Sequence, residues 1–184
     1  SFTVQTRQRL ENLSYSGSSI PSSSQTDING VLAESVTGPM VLASNYGDGL
    51  CSNSFAAGTF PADAIVFCER GETALLDKSA NVAAGGAAAA VIYNTADSSQ
   101  DFYVTLPYSI PTVQMDRFDG PAMVNWLSDA DGHQGTIPAT ETTSTTSETY
   151  VDAMSSFSSK GHAFLEEYRE VPAPSITAPG SNIY

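Results

Sequence analysis

The chain has 184 residues, 41% of them hydrophobic, which allows one domain with a buried core plus some peripheral segments. Seven Lys and Arg stand against twenty Asp and Glu, a formal net charge of -13; this weighs against nucleic acid and anionic membrane surfaces, both of which need clustered cations. No apolar run approaches the roughly 20 residues that span a bilayer.

The chain opens with neither Met nor an apolar leader, so it reads as a segment excised from something longer. Residues 1–37 are a Ser-rich lead-in, and residues 14–26 (SYSGSSIPSSSQT) lack apolar periodicity and read as loop. Residues 40–43, an apolar run between Gly38-Pro39 and Ser44-Asn45, predict a buried strand. A Gly-, Ser- and Asn-rich loop over 46–61 carries Cys51 and leads to a second strand, 64–68 (AIVFC).

The spacing then predicts a helix over 74–84, capped by Thr73 or Glu72. Leu75, Leu76, Ser79, Val82 and Ala83 form its apolar stripe, with Asp77 and Lys78 facing away. Gly85-Gly86 stops it, because glycine enters the left-handed region without a Cβ penalty, and 87–93 (AAAAVIY) follows as a buried strand. Residues 110–113 predict another strand, at a sheet edge on account of Pro111. Asp116 or Asp119 caps a second helix with Pro121 in its first turn and an apolar face of Met123, Val124, Trp126 and Leu127. A turn at 132–135 and a strand from Thr136 to Pro138 precede a polar linker, residues 140–149 (TETTSTTSET). Short strands punctuated by two helices predict an α+β fold.

Catalytic chemistry is hard to assemble from these residues. The two histidines, His133 and His162, both sit beside glycines and read as exposed loop residues; no G-x-S-x-G elbow accompanies them. Asp27 with Asn29, or Asp129 with Asp131, offers oxygen ligands for calcium without EF-hand spacing, so no metal or other cofactor is expected. Trp126, at helical spacing from Met123, reads as core rather than as a binding platform. Cys51 and Cys68 match neither zinc nor redox spacing, which leaves one disulfide or two free thiols. A bridge requires an oxidising compartment, and the hydroxyl-rich surface, with only 15% charged residues, suits a secreted protein.

Residues 65–94, IVFCERGETALLDKSANVAAGGAAAAVIYN, carry a strand ending in Cys68, the pair Arg70-Gly71, a helix containing Lys78, the stop Gly86-Ala87 and a strand ending in Asn94. Ile110-Pro111-Thr112-Val113 and Asp119-Gly120 form a second block. Together they resemble the protease-associated (PA) domain over residues 38–139, which implies an open β-barrel or sandwich flanked by short helices and used in protein interaction or substrate access. The tail, residues 150–184, holds Phe157-Ser158-Ser159-Lys160-Gly161 and Ile176-Thr177-Ala178-Pro179-Gly180-Ser181-Asn182-Ile183. These resemble subtilisin-like protease (subtilase) segments that lie shortly before the catalytic serine.

The resemblance implies a non-catalytic insert of a secreted serine endopeptidase, with protein substrates and the catalytic domain as partners. Tyr46, Phe55, Phe60, Phe102, Tyr103 and Tyr108 lie in loops and are read as exposed, a costly arrangement unless they bind something. Phe102, Tyr103 and Tyr108 are the expected substrate contacts. A spacer or dimerisation element of the same protease is the alternative, and an autonomous hydrolase with a cryptic site is a third.

Overall fold

The computed structural model describes residues 2–5, 8–17, 19–98, 103–129 and 131–145. All of these belong to the first of two units, Ser1–Thr145. The linker residues from 146 onward, the tail with His162, and Phe102 lie outside the described residues.

In chain order the strands are β1 (Phe2–Gln5), β2 (Gln8–Arg9), β3 (Glu11–Ser14), β4 (Asp27–Ile28), β5 (Val36–Leu42), β6 (Ile65–Glu69), β7 (Ala89–Tyr93), β8 (Thr112–Met115), β9 (Gln134–Ile137) and β10 (Thr142–Thr145). The helices are α1 (Leu75–Ala84) and α2 (Asp119–Ser128). A mixed six-stranded sheet runs β3-β9-β5-β6-β7-β8. Its four strands β5 to β8 are parallel, in register Met40↔Ile65, Ile65↔Ala89 and Ala90↔Thr112, while β9 and β3 are antiparallel additions.

Parallel strands are covered on both faces, and the sequences of the two central ones, β6 (IVFCE) and β7 (AAVIY), are accordingly apolar almost throughout. Alternate side chains divide between two cores. Ile65, Phe67, Val91 and Met40 pack with Met123, Trp126 and Leu127 of α2. Val66, Cys68 and Ala90 pack with Val82 of α1 and Phe60. Each large apolar side chain so buried contributes about 1.5–3 kcal/mol.

The double glycine ends α1 as expected: Gly86 takes φ +93°, in the left-handed region. Gly85 serves packing instead, because a Cβ there would lie 2.5 Å from the Phe60 ring. The N-cap position of α2 is Phe118, and Asp116 supplies the capping carboxylate: its Oδ1 accepts from the backbone N–H of Phe118 at 2.8 Å and of Asp119 at 2.7 Å. Neither Thr73 nor Glu72 caps α1; its N-cap is Ala74, and the Thr73 hydroxyl donates to Ser52 Oγ at 2.9 Å.

The lead-in is more structured than its composition suggests. Leu10, Ile28 and Leu32 are spaced too widely to show a period, yet all three enter the α2-side core. Asn29 bridges Gln114 of edge strand β8, β4 pairs with β2, and two residues later the chain enters β3 at the opposite edge. The lead-in thus carries the ladder from one sheet edge round to the other, giving an open barrel-like α+β fold. Thr142–Thr145, four β-branched or hydroxyl residues inside the stretch read as linker, pairs antiparallel with Phe2–Gln5.

Candidate interaction site

The residues that could meet another molecule gather at the carboxyl ends of the parallel strands, where connecting loops converge and open α/β sheets place their ligands. The β5–β6 connection is the most heavily tied of these loops. Cys51 and Cys68 form a disulfide with Cα atoms 5.8 Å apart, both residues fully buried. Asp48 Oδ2 accepts from the backbone N–H of Ser52 at 2.7 Å and of Asn53 at 2.9 Å. Burial alone would raise the Asp48 pKa, but these donors outweigh it and hold the carboxyl below its usual value. From α1, Asn81 donates to the Cys51 carbonyl at 2.9 Å.

Lys78 reverses the sequence expectation. It points inward, fully buried, and its ammonium donates to the carbonyl of Leu50. Burial lowers its pKa, while the carboxylates of Asp48, Glu69 and Glu72 oppose that shift. Helix α1 therefore buries Lys78, Ser79 and Val82 and leaves Leu76 exposed. The apolar stripe misassigned this face because a lysine stem is itself apolar and the partner is a backbone carbonyl that no side-chain pattern reveals. The lysine in the PA-like helix was the available signal.

Beside this clamp, β6 ends at Glu69-Arg70 and β7 at Tyr93-Asn94, with the Arg70 N–H donating to the Tyr93 carbonyl at 2.9 Å. Burial first, and the Glu69 charge second, push the Tyr93 phenol up to about 12. The loop entering β8 is fastened at its root. Gln114 Nε2 donates to the Val104 carbonyl at 2.7 Å and to the Tyr108 hydroxyl at 3.3 Å, and that hydroxyl donates to the Val104 carbonyl at 3.4 Å. Burial pushes the Tyr108 phenol up to about 12, against the opposing Arg70 charge. Tyr103 and Tyr108 are both half-buried.

The other loop aromatics pack inward. Phe60 is buried, edge-on to Tyr46 at 5.0 Å between centroids and tilted against Phe55 at 4.8 Å. His133, expected on an exposed turn, is buried, stacked on Tyr15 at 4.2 Å and edge-on to Trp126 at 4.4 Å. Trp126 belongs to the core as expected. The turn sequence around His133 hid its burial because both ring partners lie outside the turn, Tyr15 far back in the lead-in and Trp126 on α2. Of the residues considered for calcium, Asp27 pairs with Arg9 at 2.8 Å.

A family profile described as the PA domain matches residues 36–123. A curated relative, the subtilisin-like protease SBT5.4 of Arabidopsis thaliana, is 34% identical over 119 residues, covering 65% of this chain. The chain spans only 15% of that protein's length. Among solved structures, an aminopeptidase from Aneurinibacillus sp. strain AM-1 is similar at TM-score 0.44 and 17% identity, over 77% of this chain and 34% of that one. A zinc aminopeptidase from Bacillus subtilis is similar at TM-score 0.42 and 21% identity, over 76% of this chain and 32% of that one. The profile runs from β5 into α2 and so takes in β6, the lysine-bearing helix and the glycine stop described above; residues 36–123 are a PA domain, and the similarity to the Arabidopsis protein supports one of the subtilisin-like protease kind.

Proposed function

We propose that this chain is the non-catalytic PA insert of a secreted subtilisin-like serine endopeptidase, and that it binds protein substrates or gates their access to the catalytic domain. The reading needs a surface that is held in place without being used up in the core. The single observation that carries it is the fastened loop that joins β7 to β8. Its root is tied through Gln114, Val104 and Tyr108, while Tyr103 remains half-exposed. Pre-ordering such a loop reduces the entropy lost on binding. An aromatic ring gives contact area with few rotatable bonds. Phe102, Tyr103 and Tyr108 are the proposed contacts, and the Arg70 charge acts on the Tyr108 phenol.

A group that supplies no nucleophile alters rate only through binding or access, and its contacts lie away from the scissile bond. A short peptide cannot reach them, whereas a folded protein can. The test compares the parent protease with and without the insert on folded proteins and on short peptides. Loss of kcat/KM confined to the folded proteins supports the reading, and equal loss on both counts against it.

The inward packing of Tyr46, Phe55 and Phe60 favours a second reading for the α1 side, where these rings stabilise the insert as a spacer. On that reading the α1 side makes no substrate contact, and its substitutions change stability alone.

A further inference from the structure

Asn12-Leu13-Ser14 is an N-x-S sequence, the acceptor pattern for N-linked glycosylation in proteins that pass through a eukaryotic secretory pathway. Such triplets are short and occur by chance, so the structural setting decides whether this one is usable. Both Asn12 and Ser14 are exposed, while Leu13 between them packs toward the α2-side core. They sit in β3, an outermost strand of the six-stranded sheet.

The pairing is interrupted at this point. Glu11 pairs with Thr136 and Ser14 with Gln134, so Asn12 and Leu13 together face the single residue Gly135. This is a β-bulge, and Asn12 takes φ +51° within it, a left-handed conformation that asparagine tolerates better than most residues. The Asn12 Nδ2 donates to Thr136 Oγ1 at 3.2 Å. A primary amide carries two N–H groups. One is engaged with Thr136, and the other is the one a sugar replaces, so a glycosylated Asn12 keeps its contact with the fold.

We propose that Asn12 is an N-glycosylation site and that its glycan covers the outer edge of β3. The proposal rests on the secretory reading above. In the transfer, the Asn12 Nδ2 attacks the anomeric carbon of a lipid-pyrophosphate-linked oligosaccharide. An N–C bond forms, the carbon–oxygen bond to the pyrophosphate breaks, the lipid pyrophosphate departs with that bond's electron pair, and the amide loses one proton to a base. The Ser14 hydroxyl is the sequence element that the transfer enzyme reads. A bulky, hydrated group here also answers a physical need, because among the described residues β3 ends the sheet, and a strand edge invites pairing with other chains.

The test uses the full chain, expressed behind a secretory leader in a eukaryotic host and recovered from the medium. The expected result is a heterogeneous mass that collapses on treatment with peptide N-glycosidase, with the released asparagine at position 12 converted to aspartate. Ser14→Ala leaves Asn12 and its bulge in place and should remove the glycan, while Ser14→Thr should keep it. Asn12→Gln should also remove it, but it strains a left-handed position, so the Ser14 pair is the deciding comparison. Exported chain with the Cys51–Cys68 bridge closed and position 12 bare overturns the site and leaves the secretory reading standing. Natural protein found only in the cytosol with free thiols overturns both.

Discussion

Lys78, in the middle of α1, donates its ammonium to the carbonyl of Leu50, the residue just before the disulfide-bonded Cys51. One buried cation therefore joins the crossover helix to the loop that the disulfide holds against β6. Glu69, at the end of that strand, donates its N–H to the Gly49 carbonyl at 2.8 Å in the same loop. Helix, loop and strand meet at one end of the sheet, next to the proposed contact surface.

Truncating Lys78 should loosen this junction. Lys78→Ala leaves the Leu50 carbonyl without its charged donor and opens a cavity along the lysine stem, so a loss of about 2–4 kcal/mol is expected. Lys78→Met refills most of that volume and should cost less. Urea unfolding of the two variants, read as midpoints at unchanged slope, checks the order. Equal stability in wild type and Lys78→Ala would remove the clamp from the account.

The Cys51–Cys68 bridge closes a short loop, and its removal should cost about 3 kcal/mol by chain entropy. Thiol titration of the unreduced, denatured protein should find neither cysteine free. A Cys51→Ala, Cys68→Ala variant should unfold at lower urea, and two titratable thiols in the unreduced protein would contradict the bridge.

Alkaline pH acts on stability in two opposing ways. Lys78 has a lowered folded pKa, so between that value and the usual 10.5 the unfolded chain binds more protons, and the lysine's contribution to stability rises with pH. Tyr93 and Tyr108 act oppositely. Their phenols move from 10.0 to about 12, so the folded chain holds the extra protons and stability falls as pH climbs through that window. The buried Tyr93 alone represents on the order of 2 kcal/mol. Thermal unfolding should show a decline above about pH 10 that Tyr108→Phe makes shallower. A flat profile in both proteins would contradict the burial of these phenols.

Much of this fold could be read from local pattern. Ile65 to Cys68, the double glycine after α1, the Met123–Leu127 face and the cap at Asp116 each declare themselves within one turn or strand. The failures share a cause: contacts made outside each residue's own turn or strand. Lys78 faces inward because a backbone carbonyl 28 residues away awaits it. His133 is buried by Tyr15 and Trp126, neither of which its own turn announces. The lead-in looked formless because Leu10, Ile28 and Leu32 each join the core singly. Tyr46, Phe55 and Phe60 looked exposed because loop composition says nothing of which rings meet.

Replacing the α2 cap by Asp116→Ala frees the N–H groups of Phe118 and Asp119 and should cost about 1 kcal/mol. Because α2 covers the core opposite the proposed contact loop, this loss should appear in urea midpoints without a selective change in substrate preference. A selective change would mean that α2 itself takes part in substrate contact.

If the loop before β8 meets substrate, altering it shows most directly in a ratio of two rates. In the full-length parent, Phe102→Ser with Tyr103→Ser is assayed on a folded protein and on a tetrapeptide. The kcat/KM on the folded protein should fall while the tetrapeptide value stays nearly unchanged, because only the longer substrate reaches the loop. A ratio identical to that of the unaltered enzyme would contradict it.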